Sequence, residues 1–221
     1  SSAASDVYKR QDLILCAGDL ITSRSGKSME HAKELVRAIS AEYPFYYANG
    51  NHEYRIYREP QTYGKMGASY RAFLKGNHVR ILENGSVLLP EYGIRITGLD
   101  LPREYYQKLD RTKLESKTIS RMVGHADRND FQVLLAHNPV FFDAYAGWGA
   151  DLTLSGHIHG GIVRIPGIGG VISTSYRLFP KYDGGVYTFD NGFVCCVSRG
   201  LGSNTVPIHA FRLFNRPDLP I

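Results

Sequence analysis

Cysteine is scarce: Cys16, Cys195 and Cys196 are the only three in a chain of 221 residues. Three cannot build a disulfide framework. Cys195 and Cys196, as neighbours on a strand, point to opposite faces and make poor partners for each other. They read as small buried hydrophobes and say little about redox compartment. No run approaches about 18 consecutive apolar residues, so no segment is long and apolar enough to cross a membrane as a helix. Lys and Arg outnumber Asp and Glu by 26 to 21, for a net charge of +5. They gather into no run or stripe, so there is no clear nucleic-acid partner. Internal repeats and low-complexity linkers are also missing. What remains is 43% hydrophobic and 21% charged, which suits a packed core in a single domain. Glycine is in excess, with 23 residues, a sign of tight loops between short elements.

Residues 1–11 carry no periodicity. Asp6-Val-Tyr-Lys-Arg-Gln11 is also what one reading frame of a common sequencing-library transposon end encodes. This segment is therefore expected to be an assembly scar, set apart from a domain over residues 12–221. The other end stops at Asp218-Leu-Pro-Ile221 without a cap or polar tail, so the domain is expected to be truncated at both ends.

Leu13 to Ala17 is a short apolar run stopping at Gly18-Asp19, which predicts a buried strand ending in a loop. Met29, Ala32, Leu35, Val36 and Ile39 recur at helical spacing, with Ser28 as N-cap and Pro44 after the end. Phe45 to Ala48 is a second strand, halting at Asn49-Gly50-Asn51-His52, so the opening reads as strand–helix–strand with parallel strands. Residues 54–75 are Tyr- and Arg-rich with one helical candidate, Tyr70 to Leu74. Val79 to Leu89 straddles Asn84-Gly85, a hairpin signal, and Ile94 to Gly98 alternates as a strand. Ser116 to Met122 is weakly helical. Phe131 to Ala136 and Leu152 to Ser155 are buried strands, halting at His137-Asn138-Pro139 and at Gly156-His157-Ile158-His159-Gly160-Gly161. A late hairpin turns at Asn191-Gly192. The order fits an α/β domain with two packed sheets and outer helices.

Four apolar strands thus end in Gly- or Pro-flanked turns bearing Asp19, Asn51 with His52, His137, and His157 with His159. In α/β sheets the carboxyl ends of parallel strands converge on one crevice. Carboxylate, amide and imidazole together suit Mn²⁺, Fe or Zn²⁺ better than Mg²⁺ or soft metals. Any one of these turns alone is ordinary; two imidazoles separated by one residue beside glycines are less so, and the ordered set of four is unlike chance.

With those motifs in place, the chain resembles the calcineurin-like metallophosphoesterase family. The matching segments are Gly18-Asp19, Gly50-Asn51-His52-Glu53, His137 and Gly156-His157-Ile158-His159. The resemblance implies a four-layer α/β/β/α sandwich of two mixed sheets with two divalent metal ions between the strand ends. It implies that Asp19 bridges the ions, that Asn51, His137 and His157 complete one site, and that His159 binds the other. His52 would protonate or steady the leaving oxygen during in-line attack by a metal-bridged hydroxide on a phosphomonoester or diester. The family's first motif, an Asp-x-His on the opening strand, has no counterpart here. The first strand is therefore expected to be missing, the second metal short of two ligands, and this fragment impaired.

Arg199-Gly-Leu-Gly202 and Phe214-Asn-Arg-Pro217 further resemble a bacterial branch of membrane-anchored or exported members, which implies membrane association through a missing N-terminal segment. That branch suggests an alternative reading, a UDP-diacylglucosamine-type lipid pyrophosphatase, with aromatic segments 43–57 and 140–146 facing an acyl chain or simply filling the core. A non-catalytic metal-binding or interaction module is an alternative of another class. The substrate is a phosphate ester of a small molecule or lipid. Arg55, with Tyr54 and Arg58, is a loose candidate for contacting it, and the N–H groups of Gly160 and Gly161 could approach a phosphate oxygen. Trp148 either flanks the site or packs in the core. His31, His78, His125 and His209 read as surface or packing residues.

Overall fold

The apolar run after Asp12 forms β1 (Ile14–Cys16) and Phe45–Tyr47 forms β2, joined by helix α1 (Glu30–Ser40). The strands pair in parallel, Ile14 opposite Phe45, as the strand–helix–strand pattern predicts. The computed structural model describes residues 11–107, 112–161, 163–165, 169–172 and 178–200. Residues 1–10, His209, Leu201-Gly202 and Phe214 to Pro217 therefore lie outside the described residues. Helix α1 buries Val36 and packs Met29, Ala32 and Ile39 against the same core. Its N-cap position is Met29 rather than Ser28. The Ser28 hydroxyl still accepts the Glu30 N–H at 3.2 Å, from one residue further out.

After β2 the chain is more helical than its composition suggests, with α2 (Asn51–Arg58), α3 (Pro60–Tyr63) and α4 (Met66–Gly76). Tyrosines on these helices serve as core residues, Tyr70 being fully buried beside Ile56 and Leu74, and this masks the usual aliphatic period. The Asn84-Gly85 pair is not a hairpin turn. Strand β3 (Arg80–Ile81) joins β2 in parallel, whereas β4 (Gly85–Leu89) pairs antiparallel with β5 (Ile94–Leu99) in another sheet. The pair carries the chain from one sheet to the other, with Asn84 at φ 48° and its Oδ1 accepting the Asp100 N–H at 2.8 Å. A contact across 16 residues thus overrides the local turn signal.

The first sheet has the order β1-β2-β3, all parallel. The second has six strands in the order β10-β11-β7-β6-β5-β4, adding β6 (Phe131–Ala136), β7 (Leu152–Ser155), β10 (Gly185–Thr188) and β11 (Val194–Val197). Its inner strands β5, β6, β7 and β11 run parallel, and its edges β4 and β10 antiparallel. β8 (Val163–Ile165) and β9 (Gly169–Ile172) form a separate ribbon.

Alternation along the strands sorts the side chains into layers. Phe45 and Tyr47 face the core under α1, α2 and α4, while Tyr46 faces Val133, Leu135 and Ile96 of the second sheet. On β6, Leu134 and Ala136 face the other way, into a core with Phe142, Tyr145 and Trp148. That core lies under α5 (Ser116–Val123) and α6 (Phe142–Trp148). Helix, sheet, sheet, helix is the four-layer order. Full burial of each large apolar side chain contributes about 1.5–3 kcal/mol. The aromatic segments 43–57 and 140–146 are spent on these cores: Phe45, Tyr47, Ile56, Phe142 and Tyr145 are buried. Trp148 belongs to the core as well, its indole N–H donating to the Gly124 carbonyl at 2.8 Å. All three cysteines are free thiols.

Candidate metal centre

β1, β2, β6 and β7 each run out into a loop or helix start carrying a polar side chain: Asp19, Asn51, His137 and His157. The first two loops lie against each other with no room for side chains between them. A Cβ on Gly18 would overlap the Gly50 nitrogen, and a Cβ on Gly50 would overlap the Asp19 carboxylate. Gly18 also takes a φ of 90°, so glycine is required there on both counts.

A buried carboxylate clasps the two loops. Glu53 Oε2 accepts the Asp19 N–H at 2.8 Å and the Gly50 N–H at 3.0 Å, and Oε1 accepts the Tyr47 hydroxyl at 2.6 Å. In return Asp19 Oδ1 accepts the His52 N–H at 2.8 Å and so caps the first turn of α2. Burial pushes the Glu53 carboxyl up, with the Asp19 charge adding to it. Burial alone would do the same to Asp19, but the charges of His137 and His52 hold its carboxyl well below the usual range.

Asp19, His137 and His157 each offer one ligand atom within 4.8 Å of the others, and no second such trio of His, Cys, Asp or Glu occurs among the described residues. His137 is 2% exposed. Its Nδ1 lies 2.7 Å from the Ala17 carbonyl, and because a carbonyl only accepts, Nδ1 carries the proton of the neutral ring and Nε2 is left with a bare lone pair. That Nε2 sits 2.9 Å from Asp19 Oδ2, so a proton on the ring or a cation must lie between the two atoms. Asn51 Oδ1 is buried without a donor. Carboxylate, amide oxygen and imidazole nitrogens converging in this way are the donor set of a borderline divalent cation. Burial opposes charge on His137, but the Asp19 carboxylate lifts its pKa above the ordinary value. His157 is pushed down to about 3 by burial and then by the His137 charge, so its ring is neutral. The His137 and His157 rings meet edge to face at 5.3 Å.

His52 stands on the other side of Asp19, its Nε2 4.0 Å from Asp19 Oδ2. Its Nδ1 accepts the Ser23 N–H at 3.0 Å and lies 2.7 Å from the Ser23 hydroxyl. The neutral ring therefore carries its proton on Nε2. Burial lowers the His52 pKa; Asp19 opposes this, while the charges of Arg55 and Arg24 reinforce it. His159 is outside the close trio; it packs beside Gly200, where a Cβ would come within 3.3 Å of its Nδ1. Asp19, His157 and His159 have φ of 58°, 65° and 54°, left-handed backbone that costs a non-glycine residue roughly 1 kcal/mol or more.

Other expectations fall differently. Arg58 pairs with Glu83 at 3.2 Å, and the Gly161 N–H is taken by the Ile158 carbonyl at 2.8 Å. His31, His78 and His125 are exposed, as expected of residues outside the motifs. Sequence reasoning missed Ser23, the clasping role of Glu53, and Tyr106. The Tyr106 ring, in the turn Arg103–Tyr106, lies edge-on to His157 at 5.2 Å. No spacing marks it among the neighbouring tyrosines.

Asp100, at the end of β5, was also missed. It accepts from Asn49 Nδ2 at 3.3 Å, and burial pushes its carboxyl up to about 6. A carboxyl raised by folding favours the fold when protonated; that contribution is complete below about pH 4 and is lost as pH rises through about 6. Asp100→Asn, which still accepts from Asn49, is expected to stabilise the protein by about 1–3 kcal/mol at pH 7.5 and by little at pH 4. Thermal melts at the two pH values check this; equal shifts at both would refute it.

A family model described as calcineurin-like phosphoesterase matches residues 3–161. An uncharacterized metallophosphoesterase of Aquifex aeolicus (strain VF5) is 25% identical over 220 residues, covering 97% of this chain and 74% of that protein. The uncharacterized metallophosphoesterase YkuE of Bacillus subtilis (strain 168) is 27% identical over 218 residues, covering 96% of this chain and 67% of its own. The uncharacterized protein YpbG of the same organism is 25% identical over 221 residues, covering 92% and 73%. No solved structure gives a significant match.

Proposed function

Because the chain belongs to the calcineurin-like phosphoesterase family, whose members are metal-dependent phosphoester hydrolases, we propose that Asp19, Asn51, His137 and His157 hold one divalent cation and that Asp19 and His159 contribute to a second. The observation that carries this reading is the pair of atoms His137 Nε2 and Asp19 Oδ2, 2.9 Å apart where only a proton or a cation can lie between them, beside the unsatisfied Asn51 Oδ1. A cation among them satisfies all three. Bound divalent ions would neutralise the phosphate oxygens and lower the pKa of water to near neutrality, the two obstacles to phosphoester hydrolysis.

The chain's own residues then orient and steady. The Ala17 carbonyl holds the His137 ring in the tautomer that presents Nε2. Glu53 keeps the Asp19 and Asn51 loops at a fixed separation through its bonds to both backbones. His52, with Nδ1 occupied by Ser23, presents Nε2–H. A neutral imidazole donates a hydrogen bond from that atom but does not surrender the proton, so His52 steadies the leaving oxygen rather than protonating it. A pure metal-binding module has no use for such a presented donor.

The test is an activity screen of the full-length gene product, stripped with chelator and reloaded with Mn²⁺, Fe²⁺ or Zn²⁺, against mono-, di- and pyrophosphate esters. Hydrolysis that appears on reloading and vanishes with chelator is the expected result. A protein that binds the metal yet hydrolyses none of the three would be a binding module instead.

A further inference from the structure

We propose that the outer face of the six-stranded sheet carries a second binding site, for an uncharged polyhydroxylated ring of monosaccharide size. It stands independently of the phosphohydrolase reading. A cavity of about 250 Å³ lies there, with Arg95, Thr97, His125, Asp127, Gln132 and Trp148 among its lining residues. Arg95 and Gln132 are register partners near the start of the parallel strands β5 and β6, whereas His137 follows the far end of β6. Five residues of strand set the cavity roughly 16 Å from the metal centre, too far for one sugar ring to reach both. Alternation along β6 turns Gln132 to the same side as Leu134 and Ala136, the side covered by α5 and α6.

Gln132 is the residue that calls for an occupant. It is 1% exposed. Its N–H donates to Asp151 Oδ2 at 2.7 Å, and its carbonyl accepts the Asp151 N–H at 2.9 Å. Nε2 donates to the carbonyls of Asp127 and Asp130 at 2.6 and 3.2 Å. Those two carbonyls also fix which way the amide is turned, because they would repel Oε1 in its place. Oε1 alone is left without a partner, and a buried acceptor held in this way is satisfied by an N–H or O–H from outside the chain. Charge narrows the class. Arg95 bonds Asp130 Oδ2 from two nitrogens at 2.7 and 2.9 Å, with Asp127 Oδ2 3.9 Å away. The guanidinium opposes a cation in the cavity and the two carboxylates oppose an anion, so the fitting ligand is neutral. Beside the amide oxygen stand the Asp127 carboxylate, an acceptor, and the Thr97 hydroxyl, which both donates and accepts; ring hydroxyls answer all three. Trp148 supplies apolar wall for the C–H groups of the ring.

The experiment titrates the purified protein with glucose, galactose and myo-inositol, following the fluorescence of Trp148, the only tryptophan in the sequence. Methylammonium and sulfate serve as the charged probes. A saturable change with at least one of the neutral rings is expected, with Kd on the order of 1 mM for a ligand of so few atoms. Thr97→Val, which keeps the branched shape and removes the hydroxyl, should weaken that binding about three- to tenfold and leave metal-dependent hydrolysis unchanged. Gln132→Leu should abolish it. No saturable change with any of the three rings, or an unaltered Kd in Thr97→Val, overturns the proposal. Tighter binding of methylammonium or sulfate than of every ring overturns the neutral class and the proposal with it. Each of these results leaves the phosphohydrolase reading untouched.

Discussion

Asp19→Asn is expected to lower kcat by on the order of 10³-fold or more and to reduce the metal bound per chain, with the fold retained. The substitution removes one charge from the centre of the donor set and little else. Asn tolerates the left-handed backbone that Asp19 adopts, with φ 58°, and its Oδ1 still accepts the His52 N–H that Asp19 Oδ1 takes at 2.8 Å. What goes is the carboxylate oxygen 2.9 Å from His137 Nε2, the negative charge that draws a divalent cation into a buried pocket and fixes it against its imidazole ligands. Metal content by atomic emission, kcat on the best substrate and a far-UV dichroism spectrum check the three parts together. Near-normal turnover with full metal content would remove Asp19 from the site.

His52→Ala is expected to lower kcat by about 10²–10³-fold, the loss typical of removing one preorganised donor aimed at developing negative charge. Metal content should stay close to normal, because His52 faces Asp19 at 4.0 Å from outside the close trio. His52→Gln should recover part of the loss, since a side-chain amide also presents an N–H, and the pH–rate profile of the normal protein should lack a limb that disappears in the variant. If Gln is as inactive as Ala and such a limb disappears with the ring, His52 gives up a proton after all and the steadying role is wrong.

Those two residues were legible before any coordinates because strand ends announce themselves: an apolar run, a glycine, then a polar side chain. Phe131 to Ala136 and Leu152 to Ser155 are strands with the bounds the pattern predicts, and the halting residues after them are the ones that meet. What escaped were features fixed by partners distant in the chain. Asn84-Gly85 has the composition of a hairpin, but the Asn84 amide is committed to Asp100. Glu53 sits in a recognised motif, but its grip on the Asp19 backbone spans 34 residues. Ser23 is an ordinary loop serine until His52 folds against it. The helices over 51–76 were obscured because tyrosine does the packing that leucine usually does.

The left-handed backbone at Asp19, His157 and His159 sets durability against use. Glycine at any of the three would relax the chain, because it lacks the Cβ that makes such angles unfavourable. At His157 and His159 a laboratory selection for heat tolerance alone would therefore drift toward glycine and discard side chains that make the crevice worth keeping, whereas at Asp19 the bond to the His52 N–H opposes that drift. Hardening this scaffold calls for changes elsewhere, with these three residues held fixed as the screening constraint.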